Sequence, residues 1–433
     1  MTKRADASWI SNAIEQASRT EKFCVGGTLS TDDVGLVVAG VGEVALPLNP
    51  KVAKQLASTG RVAPYGKGTK TLVNTKVRNS FEVNAKLIEF SESWDKSVQE
   101  TTRAIAEQLG LPAEQLQAKP YKLLLYERGG HFQPHRDSEK VGRMVGSLVI
   151  VLPTKFAGGE LIVRHGSARH NFDFSAAASE QHASYVAFYA DCEHEVKRVT
   201  RGRRLAMTYN LSLKNTRKAK PTPTGRSSVD QNREADVLAD SLRAWYARRH
   251  GDPIVFALEH QYTQKGLRAE LLKGADRSLS DLISAASEKT NSRFYLVQIE
   301  RHLLQYADDG SYGERSWGYR DVDTSDLEIG EAYEDELVAS FWVDHRGKRQ
   351  RFGSLPLNSN AIISAIPFEE WKPTSEEYEG YTGNAGNTLD RWYHRAAIVV
   401  WENSQHFDVL ARAGTEASIT LLHSMLKKLS REK

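Results

Sequence analysis

Cysteine is nearly missing from this chain of 433 residues. Only Cys24 and Cys192 occur, so a disulfide framework is excluded and both read as plain buried thiols. Long apolar runs are missing as well: nowhere do about 18 consecutive apolar residues occur, which argues against a membrane-spanning helix. The polar stretch Met1 to Val25 carries charges of both signs and no signal-peptide core, so a soluble, cytoplasmic protein is expected. Neither sign of charge dominates. A formal net charge of +3 gives no reason to expect nucleic acid or an anionic membrane as partner.

What is present is an ordinary globular balance, with 40% hydrophobic and 26% charged residues, at a length that favours two domains over one. Leu29 to Leu48 is strand-like material broken by glycines, and Asn49 to Ser58 suits a short helix opened by Pro50. Pro64 to Thr69 is a glycine-punctuated loop that could serve as a lid, followed by strand-like alternation from Thr71 to Phe90. Trp94, Val98, Ile105 and Leu109 recur at helical spacing, so an amphipathic helix stopped by Gly110 and Pro112 is expected there. From Tyr121 to Leu213 short apolar strands alternate with turns: 122–126, 147–152, 160–163, 171–174, 184–189 and 204–213. Many short strands in series indicate a jelly roll. Residues 214–232, rich in Lys, Pro, Thr, Ser and Arg, read as a linker or exposed loop. Beyond it, residues 233–433 mix helices (234–249, 419–429) with strands (254–262, 293–305, 337–343, 396–401), an α+β domain.

Three His-x-Asp triplets occur, and on an extended chain the two side chains of each would point to one side. His250-Gly-Asp252 runs into a proline, and His406-Phe-Asp408 lies too near the end for a barrel to follow it. His135-Arg-Asp137 is different, because His194-Glu-Val-Lys-Arg-Val-Thr-Arg-Gly202-Arg-Arg204 lies downstream of it. Two histidines and a carboxylate make a facial triad that leaves metal positions open. Gly202 predicts a turn that returns the chain on a strand adjacent to that of His194, bringing Arg204 into the same pocket. Its guanidinium suits bidentate capture of a carboxylate, and alternation turns Arg203 the other way. His131, four residues before His135, is expected to be structural rather than a ligand.

Tyr126, Gly129, Phe132, His135, Asp137, Gly158-Gly159-Glu160-Leu161, His194, Val196, Gly202 and Arg204 together resemble the prolyl 4-hydroxylase-like branch of the 2-oxoglutarate/Fe(II) oxygenases. The resemblance implies an oxygenase domain over 1–213 with a double-stranded β-helix (jelly-roll) core at about 121–213. It implies Fe(II) at His135, Asp137 and His194, 2-oxoglutarate held by Arg204 and Tyr126, O2 as oxidant, and ascorbate as an auxiliary. The implied activity is a dioxygenase hydroxylating a C–H bond of a prolyl or other residue in a protein or peptide. Oxidation of a free amino acid or small metabolite is the alternative, and an inactive jelly-roll binding module the remote one. The nucleic-acid demethylases of the same chemistry carry an asparagine and a second arginine where this chain has Leu124 and Asn210, so nucleic acid is not the expected substrate. Some relatives carry a second, metal-free jelly roll, so 233–433 could be a degenerate duplicate.

Overall fold

The computed structural model describes residues 22–29, 33–67, 70–175, 182–214, 228–248, 252–308, 324–380 and 387–430. The chain divides into two compact units whose described parts are residues 22–214 and 228–430. Of the expected linker, residues 215–227 lie outside the described residues, and from Ser228 onward the chain is helical.

In the first unit, β1 (Cys24–Leu29) is followed by α1 (Pro50–Thr59), where Pro50 opens the helix and the Asn49 side chain accepts from Val52 N–H. Then come β2 (Arg61–Val62), the hairpin of β3 (Tyr65–Lys67) and β4 (Lys70–Leu72), β5 (Arg78–Asn79) and β6 (Phe81–Asn84). Ser91 caps α2 (Glu92–Gln108), whose stripe of Trp94, Val98, Ile105 and Ala106 is buried. Trp94 Nε1–H donates to Tyr209 Oη at 2.9 Å and so fixes the helix against the sheet.

The core strands follow: β7 (Leu116–Tyr126), β8 (His131–His135), β9 (Met144–Val151), β10 (Phe156–Gly158), β11 (Leu161–His165), β12 (Ala168–Phe172), β13 (Ala183–Tyr189), β14 (Glu193–Val196), β15 (Val199–Gly202) and β16 (Arg204–Leu213). They form a seven-stranded sheet ordered β1-β13-β9-β16-β7-β6-β2 and a five-stranded one ordered β12-β11-β14-β8-β5, with β10 and β15 paired as a separate ribbon. Every named pair in this unit is antiparallel, and the chain passes between the two sheets at β5 to β6, β7 to β8, β8 to β9, β12 to β13 and β13 to β14. That alternation is consistent with a jelly-roll core.

One expectation is corrected. The strand that returns after Gly202 is not the neighbour of the His194 strand, for β16 pairs with β7 and β9 in the large sheet and β14 with β8 and β11 in the small one. The ribbon strand β15 lies between them in sequence and carries the chain across. Gly202 (φ +70°) ends it so close to β10 that an added Cβ would stand 2.0 Å from Lys155 O.

The second unit contains α3 (Ser228–Arg248), β17 (Ile254–Ala257), α4 (Gly274–Lys289), β18 (Ser292–Asp308), β19 (Glu328–Asp344), β20 (Leu355–Pro356), β21 (Ile362–Ile363), β22 (Ser375–Glu379), β23 (Thr388–Glu402), α5 (His406–Arg412) and α6 (Thr415–Leu429). The strands make one mixed sheet in which β17 and β21 run parallel. Alternation divides its core in two. Leu296, Ile398 and Val400 pack with Leu242 and Ile283 of the helices, whereas Tyr295, Trp342, Val399 and Trp401 pack together in a separate cluster. A duplicated jelly roll needs two facing sheets; among the described residues this unit has one large sheet, with helices packed against it.

Candidate active site

His135 ends β8 and stands directly across the ladder from His194 on β14, so register alone brings the two imidazoles together, with ring centroids 4.2 Å apart. Asp137 lies just past the end of β8, where its N–H donates to Ala190 O at 3.1 Å and turns the carboxylate back toward the pair. His194 Nε2 is 3.8 Å from Asp137 Oδ2. One ligand atom from each of the three residues lies within 4.8 Å of the others, a spacing that a single metal ion can bridge.

Neighbouring groups prepare these side chains for that task. His135 Nδ1 faces Gln133 O at 2.9 Å and His194 Nδ1 faces Cys192 O at 3.1 Å. A carbonyl can only accept, so each Nδ1 carries the proton and each Nε2 lone pair is left for a metal. Burial, reinforced by His194, pushes the pKa of His135 well below the usual histidine range. Burial pushes Asp137 up, but His194, His135 and the Ser147 hydroxyl outweigh it and hold the carboxyl below its ordinary value. Ser147 Oγ–H donates to Asp137 Oδ2 at 2.5 Å. Phe132 stacks on His135 with centroids 3.5 Å apart, and Phe188 lies 4.5 Å from His194.

Arg204 enters the same cavity from the opposite sheet. The space measures about 690 Å³ and is lined by His135, Asp137, His194, Tyr126 and Arg204 among others. Arg204 is 1% exposed, and its Nε and Nη2 have no hydrogen-bond partner among the described residues. Its guanidinium carbon lies 5.4 Å from the Tyr126 ring centroid, as expected for residues directly opposed on β7 and β16. Burial lowers its pKa from the usual guanidinium value. Gly159 (φ +75°) keeps room for it, since a Cβ there would stand 3.1 Å from Arg204 Cδ. A buried cation with idle donors is a costly arrangement unless an anion completes it, and the residues present therefore fit a dicarboxylate with one end on the triad and the other on Arg204.

The remaining sequence candidates fall into place around this centre. Arg203 turns away and pairs with Glu127 at 3.0 Å. His131 has both ring nitrogens against carbonyls, Gly129 O at 3.0 Å and Lys76 O at 2.9 Å, so neither is offered to a metal. Pro64, Tyr65, Gly66 and Thr71 line the cavity from the β3–β4 hairpin, though Gly68 and Thr69 of the expected lid lie outside the described residues. Of the two other His-x-Asp triplets, His406 and Asp408 sit on the helix α5, and His250 lies outside the described residues. Sequence reasoning missed Ser147 and the stacking of Phe132. Their only signals were a lone hydroxyl near the start of an apolar strand and an aromatic three positions before a histidine.

Residues 121–212 match the 2OG-Fe(II) oxygenase superfamily. Among solved structures, a Pseudomonas putida prolyl-4-hydroxylase is similar at 16% identity over 46% of this chain and 98% of its own, with a TM-score of 0.29. A Trichoplax adhaerens prolyl hydroxylase, solved with a hypoxia inducible factor oxygen degradation domain peptide fragment, is similar at 10% identity over 49% and 94%, with a TM-score of 0.27. The non-heme alpha ketoglutarate dependent epimerase SnoN from nogalamycin biosynthesis is similar at 15% identity over 50% and 92%, with a TM-score of 0.26. No curated protein matches. Among the described residues no helix is long and apolar enough to cross a membrane. The segment 121–212 is thus similar to the 2OG-Fe(II) oxygenase superfamily, a family that uses Fe(II), 2-oxoglutarate and O2.

Proposed function

We propose that the protein is an Fe(II)- and 2-oxoglutarate-dependent dioxygenase that hydroxylates a C–H bond, with a prolyl or other residue of a protein or peptide as substrate. His135, Asp137 and His194 are the iron ligands in this reading, and Arg204 with Tyr126 holds the cosubstrate. The observation that carries it is the buried guanidinium of Arg204, with two unpartnered nitrogens, in the same cavity as the triad.

When bound, Fe(II) together with 2-oxoglutarate and O2 supplies the oxidising power, and the cosubstrate leaves as succinate and carbon dioxide. The protein binds, orients and excludes. Arg204 would hold the far carboxylate of the cosubstrate, a task its planar guanidinium suits. Gln133 O and Cys192 O hold the two imidazoles in the tautomer that presents Nε2, while Ser147 fixes one oxygen of Asp137. Phe132, Phe188 and Leu161 line the cavity with apolar surface and keep bulk water from the reacting atoms.

The test is incubation of the purified chain with Fe(II), 2-oxoglutarate and proline-containing peptides, then with cell extract, following succinate and the mass gain of one oxygen atom. Iron-dependent succinate release that His135→Ala abolishes is the expected result. Its absence under every condition would return the chain to the binding-module reading.

A further inference from the structure

The mouth of the cavity carries a charge that the proposed chemistry does not use. Apart from Arg204, its lining holds Arg61, Arg78, Lys122, Arg136 and Lys140, against a single lining carboxylate among the described residues, Asp137, which the oxygenase reading gives to the metal. Glu82 is shared by Arg61 at 2.8 Å and Lys122 at 2.6 Å, so it offsets one charge of the two. Arg78 and Lys140 have no carboxylate partner among the described residues. Arg78 is 8% exposed and donates to Pro64 O at 2.8 Å and Ser80 Oγ at 3.3 Å, with its guanidinium 4.5 Å over the Phe132 ring. Lys140 Nζ donates to Ser138 Oγ at 2.6 Å. Both are within electrostatic reach of the Tyr121 hydroxyl, which also lines the cavity.

Charge balance places this excess on the substrate side. Fe(II) with three protein ligands, one of them anionic, and a 2-oxoglutarate dianion on Arg204 sum to near neutrality. Of the cations outside, Arg61 and Lys122 share one carboxylate and Arg78 and Lys140 have none among the described residues, and cations around a low-dielectric cleft focus the field on whatever enters. They stand on separate elements: Arg61 on β2, Arg78 on β5, Lys122 on β7, and Arg136 and Lys140 after β8. Cations spread around a mouth match charge distributed along a chain better than one small carboxylate. A nucleic-acid track would continue over the surface, whereas this group lines a single cavity in a chain of net charge +3.

We infer that the site, on the oxygenase reading above, takes its substrate as an acidic peptide segment, with Asp or Glu residues flanking the oxidised one and seated on Arg61, Arg78, Lys122, Arg136 and Lys140. Arg78 and Lys140, which have no carboxylate partner among the described residues, carry most of the preference.

Fluorescence anisotropy tests this on the full chain with Fe(II) and 2-oxoglutarate under argon, which reads binding without turnover. The probes are three dye-labelled peptides of equal length with a central proline flanked by Glu, Gln or Lys. The Glu peptide should bind about tenfold or more tighter than the Gln peptide at low salt, with the gap closing as salt rises. Lys140→Glu, an exposed change that leaves the fold intact, should remove most of that preference, as should Arg78→Gln if it folds. Equal binding of the three peptides overturns the inference. So does tighter binding of a single-stranded oligonucleotide, or a loss of 2-oxoglutarate affinity in Lys140→Glu as large as the loss of peptide affinity. Preference for the Glu peptide without any succinate release would instead count against the oxygenase reading alone.

Discussion

Arg204 in the first unit and Asp276 in the second are each 1% exposed, yet their surroundings are opposite. Asp276 receives Glu259 N–H at 2.8 Å, His260 N–H at 3.0 Å and Tyr262 Oη–H at 2.8 Å. Arg204 leaves Nε and Nη2 without a partner among the described residues. The first is a charge that the fold uses to tie a turn to α4. The second is one that the fold tolerates, and a structure keeps such a group only where something else completes it. The His-x-Asp triplets teach the same lesson, since His406 is occupied by Trp401, whose Nε1 lies 3.3 Å from its Nδ1, whereas His135 and His194 keep Nε2 free.

Breaking the centre should have the largest effect. His135→Ala is expected to lower 2-oxoglutarate turnover on the order of a thousandfold or more, with iron content by atomic absorption falling in parallel. Full iron loading in that variant would remove His135 from the ligand set. Next comes the paired substitution that tests the comparison directly. Arg204→Met removes an uncompensated buried charge and should leave the protein as stable or up to about 4 kcal/mol more stable, while abolishing the rise in Tm that 2-oxoglutarate gives wild type. Asp276→Ala orphans two backbone N–H groups and should cost about 2–5 kcal/mol. If both variants lose stability alike, the distinction between a structural and a functional buried charge fails here. Ser147→Ala is smaller again. It releases one oxygen of Asp137, and Fe(II) affinity by anaerobic titration should fall roughly 10- to 100-fold with the fold unchanged.

How much of this was legible in the sequence follows from what each feature depends on. The helix over Glu92–Gln108 was, because its stripe is a local period of one face. So was Arg204–Leu213, an apolar run bounded by a glycine turn. The strand His131–His135 was not, because Gln133 and Pro134 are exposed and Pro134 supplies no N–H to the ladder. The short helix Gly274–Lys289 was missed too, its buried face including Ser280 and Ser287 rather than a continuous apolar stripe. Burial of Arg204 rather than Arg203 follows from alternation. The sheet from which it reaches the cavity does not, since β15 intervenes and pairing between distant strands is set by the whole sandwich. The cations of the mouth are scattered from Arg61 to Lys140 and become one feature only when folded.

The smallest expected effect refines the satisfied member of the pair. Burial, the leading cause, raises the pKa of Asp276 to about 6, even though His260 and the bonds from Glu259, His260 and Tyr262 pull it down. The folded-state pKa therefore lies above the unfolded one, and the folded protein holds the proton more tightly. The resulting stabilisation is complete below about pH 4 and is lost as pH rises through about 6, amounting to about 1–2 kcal/mol between about pH 5 and pH 7. Other groups titrate in the same range, so the quantity to measure is the difference between wild type and Asp276→Asn in urea unfolding followed by tryptophan fluorescence. The wild type should lose stability relative to the variant as pH rises. A constant difference would mean that the three donors compensate the buried carboxylate fully, which would make its contrast with Arg204 sharper still.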